Sequence, residues 1–282
     1  MDNLFLETKN IMKKYGIYAN KSLGQNFLID ENVVTSIVNA ANISSDDLVI
    51  EIGPGLGTLT KYLLDKAGKV IPIELDNRMI RILKDRFSGI DIIHNDVLKV
   101  DLNSLINNEL CINNLKKAKI VANLPYYITT PIIMKLLEDK INVESITVMI
   151  QKEVADRLTA KPGDKLSGAI TYSVYYYANA KEVLEVPNNS FIPEPEVTSE
   201  VIKLTLRKEK IVNVNNEELL FKVIKYAFIQ RRKTLANALS NSGLFKNKDD
   251  IHKMLSELNL DEKIRGEALT LEQFAEIANW IR

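Results

Sequence analysis

The sequence predicts an α/β fold: a doubly wound sheet with helices on both faces, then a small all-helical C-terminal domain. Three observations carry that prediction. Short apolar runs alternate with helical stretches between residues 33 and 158, as parallel strands joined by crossover helices do. A glycine turn, Gly53-Pro54-Gly55-Leu56-Gly57, lies between the first apolar strand and the helix after it. From Asn213 onward no strand pattern or glycine turn of this kind recurs, and helical signals take over. The expected boundaries are 1–207 for the α/β domain and 208–282 for the helical one.

The chain has 282 residues, 46% hydrophobic and 26% charged, the composition of an ordinary soluble enzyme. Its 37 Lys and Arg cancel its 37 Asp and Glu, so only local clustering can speak for a nucleic-acid partner. A single Cys excludes an internal disulfide, and two distant His (His94, His252) argue against a zinc site, so no metal is expected. No apolar run reaches the roughly 18 residues of a membrane span, and no signal-peptide pattern opens the chain. A cytoplasmic protein without a membrane partner is therefore expected.

Taken in order, residues 1–20 show an amphipathic hint at Leu4, Leu6, Ile11 and Met12. A loop at Lys21-Ser22-Leu23-Gly24-Gln25-Asn26-Phe27-Leu28 follows, and its amides suit a ligand-facing role as well as a plain loop. Asp30 is placed to cap a helix bearing Val33, Val34, Ile37 and Val38. Leu48–Ile52 reads as a strand running into the glycine turn, where Gly53 and Gly55 let the backbone approach a ligand and the helix over Thr58–Lys66 presents free N–H groups. The next strand, Lys69–Ile73, ends at Glu74, about 20 residues past the first glycine, where a carboxylate accepts from ribose hydroxyls. The dinucleotide pattern needs its third glycine at position 58, but that residue is Thr58 and the glycine is Gly57. This spacing resembles the glycine motif of S-adenosylmethionine-dependent methyltransferases and disfavours a nicotinamide oxidoreductase.

A helix over Arg78–Phe87 and a strand over Ile90–His94 lead to Asn95-Asp96, a turn whose carboxylate suits an adenine amine. Leu98–Leu115 is weakly helical. A buried strand then ends in Asn123-Leu124-Pro125-Tyr126-Tyr127, which offers two acceptors, a stiff turn and an aromatic face to a planar base with an exocyclic amine. Taken alone, those residues read first as a strand ending in an ordinary Asn/Pro turn, and only the rest of the chain favours the base-binding reading. Thr129-Thr130-Pro131 opens the next helix with hydroxyls able to cap it, and Ser145–Ile150 is a fifth strand before a helix at residues 151–158. Ser167–Ala178 is taken as helix; Glu182–Val186 and Val197–Leu206 as antiparallel strands. Between the strands, Phe191 either packs under its proline loop or forms a second wall for the base. Four helices close the chain: Leu219–Ile229, Thr234–Leu239, Ile251–Leu258 and Leu271–Ile281. The basic stretch Arg231-Arg232-Lys233 is either a solvated face or, with Lys203, Arg207, Lys208 and Lys210, a phosphate-contacting surface.

Several motifs carry a resemblance: Gly-Gln-Asn-Phe-Leu (24–28), Glu-Ile-Gly-Pro-Gly-Leu-Gly (51–57), Glu-Leu-Asp (74–76), Asn-Asp (95–96) and Asn-Leu-Pro-Tyr-Tyr-Ile-Thr-Thr-Pro (123–131). Gln-Lys-Glu-Val-Ala-Asp-Arg-Leu (151–158), Phe-Ile-Pro-Glu-Pro-Glu-Val-Thr-Ser (191–199) and Gln-Arg-Arg-Lys-Thr-Leu (230–235) extend it over nearly the whole chain. In this order they resemble the small-subunit ribosomal RNA adenine dimethyltransferases, a group related to the erythromycin-resistance rRNA methylases. Glu200 departs from the small residue expected there. The resemblance implies a Rossmann-like methyltransferase domain with S-adenosylmethionine held by Asn26, Leu28, Gly53, Gly55, Glu74, Asp96 and Asn123. It implies catalysis at Asn123, Leu124, Pro125 and Tyr126 with Phe191, and RNA contact at Lys21, Arg231, Arg232 and Lys233. The implied reaction is N6 dimethylation of two adjacent adenosines in the 3′-terminal stem-loop of 16S rRNA, by a monomer acting on the 30S pre-ribosomal particle. A large-subunit rRNA methylase conferring macrolide resistance, and an assembly factor whose methyl transfer is dispensable, are the alternatives.

Overall fold

The computed structural model describes residues 3–19 and 24–281. Helix α1 (Asn3–Tyr15) is followed by β1 (Phe27–Leu28), α2 (Glu31–Ala41), β2 (Asp47–Ile52), α3 (Thr58–Leu64), β3 (Lys69–Glu74), α4 (Asn77–Arg86) and β4 (Ile93–His94). Next come α5 (Leu102–Ile112), β5 (Lys117–Asn123), α6 (Thr129–Glu138), β6 (Ser145–Gln151), α7 (Lys152–Thr159) and α8 (Ala169–Tyr177). Then β7 (Ala178–Val186), β8 (Phe191–Ile192) and β9 (Ser199–Leu206) lead to α9 (Glu217–Ile229), α10 (Leu235–Leu239), α11 (Lys248–Glu257) and α12 (Leu271–Trp280).

The chain forms two compact units, one of residues up to Ala155 with Ala180–Leu206, the other of Asp156–Asn179 with the residues from Arg207 on. In the first unit the sheet runs β4-β3-β2-β5-β6-β9-β7, with β4, β3, β2, β5 and β6 parallel and β9 antiparallel to β6. Strand β2 is buried along its whole length, as a parallel strand covered on both faces must be. Alternate residues serve the two faces. Val49, Val70, Val121 and Met149 pack with Val34 and Ile37 of α2 and Leu59 and Leu63 of α3, while α4 and α5 pack on β3, β2 and β5. Fully burying a side chain such as Ile37 stabilises the unit by about 1.5–3 kcal/mol.

Several expected boundaries shift. Asp30 caps α2 through the amides of Asn32 and Val33, as read from the sequence. Strand β4 keeps only Ile93–His94, because Gly89 at φ +75° and a bond from the Ile90 amide to the Phe87 carbonyl bend the chain before it. Thr129 does not cap α6: its hydroxyl donates to the Pro125 carbonyl at 3.1 Å, and the capping position is Ile128. Leu6 points outward on α1, whereas Leu4 is buried and Ile11 and Met12 pack toward the core.

The second unit does not begin at the expected 207/208 cut. Helix α8 is there as anticipated, but Tyr172 and Tyr176 lie in the helical core with Leu220, Val223, Leu255 and Phe274. Tyr172 meets the Phe274 ring edge-on at 5.0 Å, and its hydroxyl donates to the Leu269 carbonyl at 2.6 Å. Each C-terminal helix starts on a side-chain cap: Asn216, Thr234, Asn247 and Thr270. Among the described residues, no helix is long and apolar enough to cross a membrane.

Candidate active site

The connections from β2 and β5 leave toward opposite edges of the sheet, so a crevice opens at their carboxyl ends, where open α/β sheets bind ligands. The loops after β2, β3, β4 and β5 line one cleft there, with the segment Gly24–Leu28 as a further wall. Asn26, Leu28, Gly53, Gly55, Glu74, Asp96, Asn123, Leu124, Pro125 and Tyr126 all face this cleft. Gly53 and Gly55 adopt φ of +65° and +57°, a conformation other residues rarely take, which turns the chain sharply off β2. Gly57 needs its hydrogen for a second reason: a Cβ there would lie 2.6 Å from the Phe87 ring. Arg86 braces this turn from below, donating to the Leu56 carbonyl and to Glu7 of α1.

The Glu74 carboxylate is tied into the cleft wall. Oε1 accepts from the Leu75 and Asp76 amides, both at 2.8 Å, and Oε2 from the Gly55 amide at 3.2 Å. Burial raises its pKa, and these amides only partly offset the rise. Each oxygen has two lone pairs, so Oε2 still has capacity for a hydroxyl donor. Asp96 accepts from the Leu98 amide at 3.0 Å. Asp76, held below its ordinary range by Arg78, takes the Gln25 amide at 3.2 Å and so ties the Gly24–Leu28 wall to β3.

Asn123 ends β5. Its Nδ2 donates to the Asn26 carbonyl at 3.3 Å, which leaves Oδ1 as its acceptor. The Leu124 amide is taken by the Met149 carbonyl at 3.1 Å, and Leu124, though buried, lines the cleft. Pro125 is extended at φ −60°, and its carbonyl accepts from the Ile128 amide and the Thr129 hydroxyl, closing a one-turn 3-10 helix over Tyr126–Ile128. The Tyr126 hydroxyl is 2.5 Å from Oγ of Ser199, the last residue of the 191–199 motif. That bond fixes the Tyr126 ring at the cleft.

Phe191 is a correction. It is 1% exposed, lies in the core with Leu28, Val34 and Ile37, and is absent from the cleft wall. Strand β8 pairs with β1, Leu28 opposite Phe191, and this register turns the ring inward. Lys21 lies outside the described residues. In the second unit Arg231, Arg232 and Lys233 are exposed just past α9, but Arg231 is committed: it bonds Glu267 at 2.5 Å and the Lys165 carbonyl at 2.6 Å. Lys203 turns inward to the Ala40 carbonyl, and Lys210 pairs with Glu217. Glu200 is buried and bonded to Lys152 at 2.9 Å.

The sequence reading passed over Glu51. It is 1% exposed on β2 and lines the cleft. Oε2 accepts from the Thr60 hydroxyl at 2.6 Å, while Oε1 has no partner among the described residues. Burial pushes its pKa up to about 8, with the Glu74 charge adding to the effect. A carboxylate inside the otherwise apolar run Leu48–Ile52 was the available signal.

Comparison with known proteins then decides the family. A family model described as ribosomal RNA adenine dimethylase matches residues 16–282. The chain belongs to that family. A relative from Clostridioides difficile is 48% identical, covering 97% of this chain and 94% of its own length. Another, from Alkaliphilus metalliredigens, is 49% identical over 95% and 94%. Both are named ribosomal RNA small subunit methyltransferase A. The solved structure of a dimethyladenosine transferase from Plasmodium falciparum superposes with a TM-score of 0.74 at 28% identity, over 89% of this chain and 95% of that one. The 23S rRNA methyltransferase ErmE shares the fold, with a TM-score of 0.67 at 23% identity over 91% and 99%.

Dimethylases of this family use S-adenosylmethionine, and the cleft suits it. The donor is cationic, and Glu51, Glu74, Asp76 and Asp96 line the cleft, one Glu51 oxygen being unsatisfied among the described residues. Its ribose and adenine match acceptors at Glu74 and Asp96.

Proposed function

We propose that this enzyme dimethylates the N6 amines of two adjacent adenosines in the 3′-terminal stem-loop of 16S rRNA, acting as a cytoplasmic monomer on the 30S pre-ribosomal particle. The carrying observation is the pair of acceptors at the end of β5, Asn123 Oδ1 and the Leu124 carbonyl, beside a hydroxyl-anchored Tyr126. An adenine amine is a poor nucleophile because its lone pair is delocalised into the ring. Two acceptors holding its two hydrogens favour a pyramidal nitrogen whose lone pair is free to attack. The Tyr126 face receives the base once it leaves its stack. When bound, S-adenosylmethionine supplies an electrophilic methyl group on a sulfonium that departs as a neutral thioether. Positioning and electrostatics therefore carry the rate, and the methylated amine loses its proton to water without a dedicated base. The second transfer starts from an amine with one hydrogen, so the monomethyl base rotates or rebinds before it.

Asn26, Leu28, Gly53, Gly55, Glu74, Asp96 and Asn123 would hold the donor, with Glu51 facing its positive charge. Arg232 and Lys233 would contact RNA phosphates, since Arg231 is already engaged by Glu267. The relatives' small-subunit names support the substrate over the large-subunit alternative, to which only the fold is common. Radiolabelled methyl transfer to unmethylated small subunits, against large-subunit rRNA, tests the reading. Label on adjacent small-subunit adenosines is expected; label on the large subunit alone would overturn it, and no label on either would leave the assembly factor.

A further inference from the structure

We propose that Tyr127 is a second base platform at the cleft mouth, on which the nucleotide beside the target adenosine stacks. This rests on the rRNA-adenine reading above. Tyr127 shares the 3-10 turn of Tyr126–Ile128 and lines the same cleft, yet it is 58% exposed. Two large exposed apolar side chains line this cleft among the described residues, Leu75 and Tyr127. Leu75 follows Glu74 on the β3 side, where a ribose is expected. Tyr127 is on the β5 side, four residues past the Asn123 acceptor.

The ring also has a backbone neighbour on one side. It lies against Gly24, where a Cβ would come within 3.3 Å of Tyr127 Cδ1, and Gly24 is left-handed at φ +59°. Gly24 thus leaves the wall bare beside an aromatic side chain that is more than half exposed. A base that leaves its stack deprives its neighbour of a partner, and an aromatic ring at the mouth replaces that partner without reading sequence. A substrate of two adjacent adenosines presents such a neighbour at each transfer. The ligand class is a purine base of single-stranded RNA, one nucleotide from the reacting one.

The test compares Y127A, Y127L and Y127F with the unsubstituted enzyme. KM and kcat are measured on unmethylated small subunits, and the S-adenosylmethionine Kd by equilibrium binding. Y127A should raise KM about tenfold or more and leave the donor Kd within about twofold. Y127F should match the parent, since stacking needs no hydroxyl, and Y127L should fall between them. A stem-loop RNA with 2-aminopurine beside the target should lose fluorescence with the parent and Y127F but not with Y127L, which keeps the bulk against Gly24 should Y127A fail to fold. An unchanged KM, unchanged quenching, or a loss of donor affinity equal to the loss in KM would overturn the proposal. Failure of the substrate reading is seen separately, as absence of small-subunit label with the unsubstituted enzyme.

Discussion

Strand β2 carries two buried carboxylates near its opposite ends, and their surroundings differ. Asp47, at the amino end, accepts from Lys119 Nζ at 2.8 Å and from the Ser44 amide and hydroxyl. Lys119 is itself buried and donates also to the Asn42 carbonyl. Burial pushes Asp47 up, but those hydrogen bonds outweigh it and hold the carboxyl below its ordinary range. Glu51, four residues on, has the Thr60 hydroxyl and no cation among the described residues, and its pKa moves the other way. The two ends of one strand separate two purposes. At the amino end the carboxylate is paired inside the protein; at the carboxyl end the carboxyl is held protonated and unpaired, its charge available to a cationic ligand.

The largest expected effect breaks the carboxyl end. Asn123→Ala should abolish methyl transfer to small subunits while thermal melting and far-UV circular dichroism stay near the parent's, because the amide supplies an acceptor and supports no core. Full activity in that variant would sink the role given to Asn123. The amino end should behave in reverse. Lys119→Met leaves Asp47 buried without its cation and should cost about 3–5 kcal/mol in urea unfolding, as breaking buried pairs does. Its kcat on the folded fraction should be unchanged, since Lys119 is at the far end of the sheet from the cleft.

The contrast itself was not read from the sequence, but much of the fold and of the cleft around it was legible in the residues, and the remainder was not for physical reasons. Strands β2, β3, β5 and β6 announce themselves because a strand covered on both faces is an unbroken apolar run. The turn at Gly53–Gly57 and the acids after β3 and β4 stand at spacings that backbone geometry dictates, so their meeting in one cleft follows from the fold class. Phe191 is different. On a two-residue strand, alternation cannot say which face a ring takes, and only pairing with Leu28 decides it. The apolar face of α8 shows that Tyr172 and Tyr176 are buried but not against what, so a single cut at 207/208 missed their place among the C-terminal helices. Ser199 is likewise silent in sequence: its partner Tyr126 is 73 residues away.

A smaller effect sharpens the comparison through pH. Glu51 in the unfolded chain ionises near pH 4.3, while the folded protein keeps the proton until about 8. Between those values the folded state binds more protons, so this group's contribution to stability is full below the window and is lost as pH rises through it. Glu51→Gln removes that loss. Its Tm relative to the parent should therefore climb from pH 5 to pH 8, while its S-adenosylmethionine affinity at pH 8 weakens about tenfold or more, the worth of a bond to a charged group. A Tm difference flat with pH would show that Glu51 is not protonated in the free protein. For Asp47 the sign reverses: its stabilisation is present above its unfolded value and is lost in acid.

The smallest effect probes how firmly the carboxyl end is organised around its base. Ser199 is fully buried and its hydroxyl meets Tyr126, whose own pKa is raised by burial. Ser199→Ala removes one neutral hydrogen bond, worth about 0.5–1.5 kcal/mol, or about two- to twelvefold in KM for the small subunit. Tyr126→Phe removes the other partner and keeps the stacking face. If the bond serves only to aim the ring, adding Ser199→Ala to Tyr126→Phe should cost nothing further, whereas in the parent background it raises KM and spares kcat. Equal costs in both backgrounds would mean that Ser199 acts through packing at the start of β9. The distinction matters for the comparison of the two ends. A strictly non-additive pair would show that this end, though it leaves Glu51 unpaired, spends hydrogen bonds on holding the aromatic ring that meets the substrate.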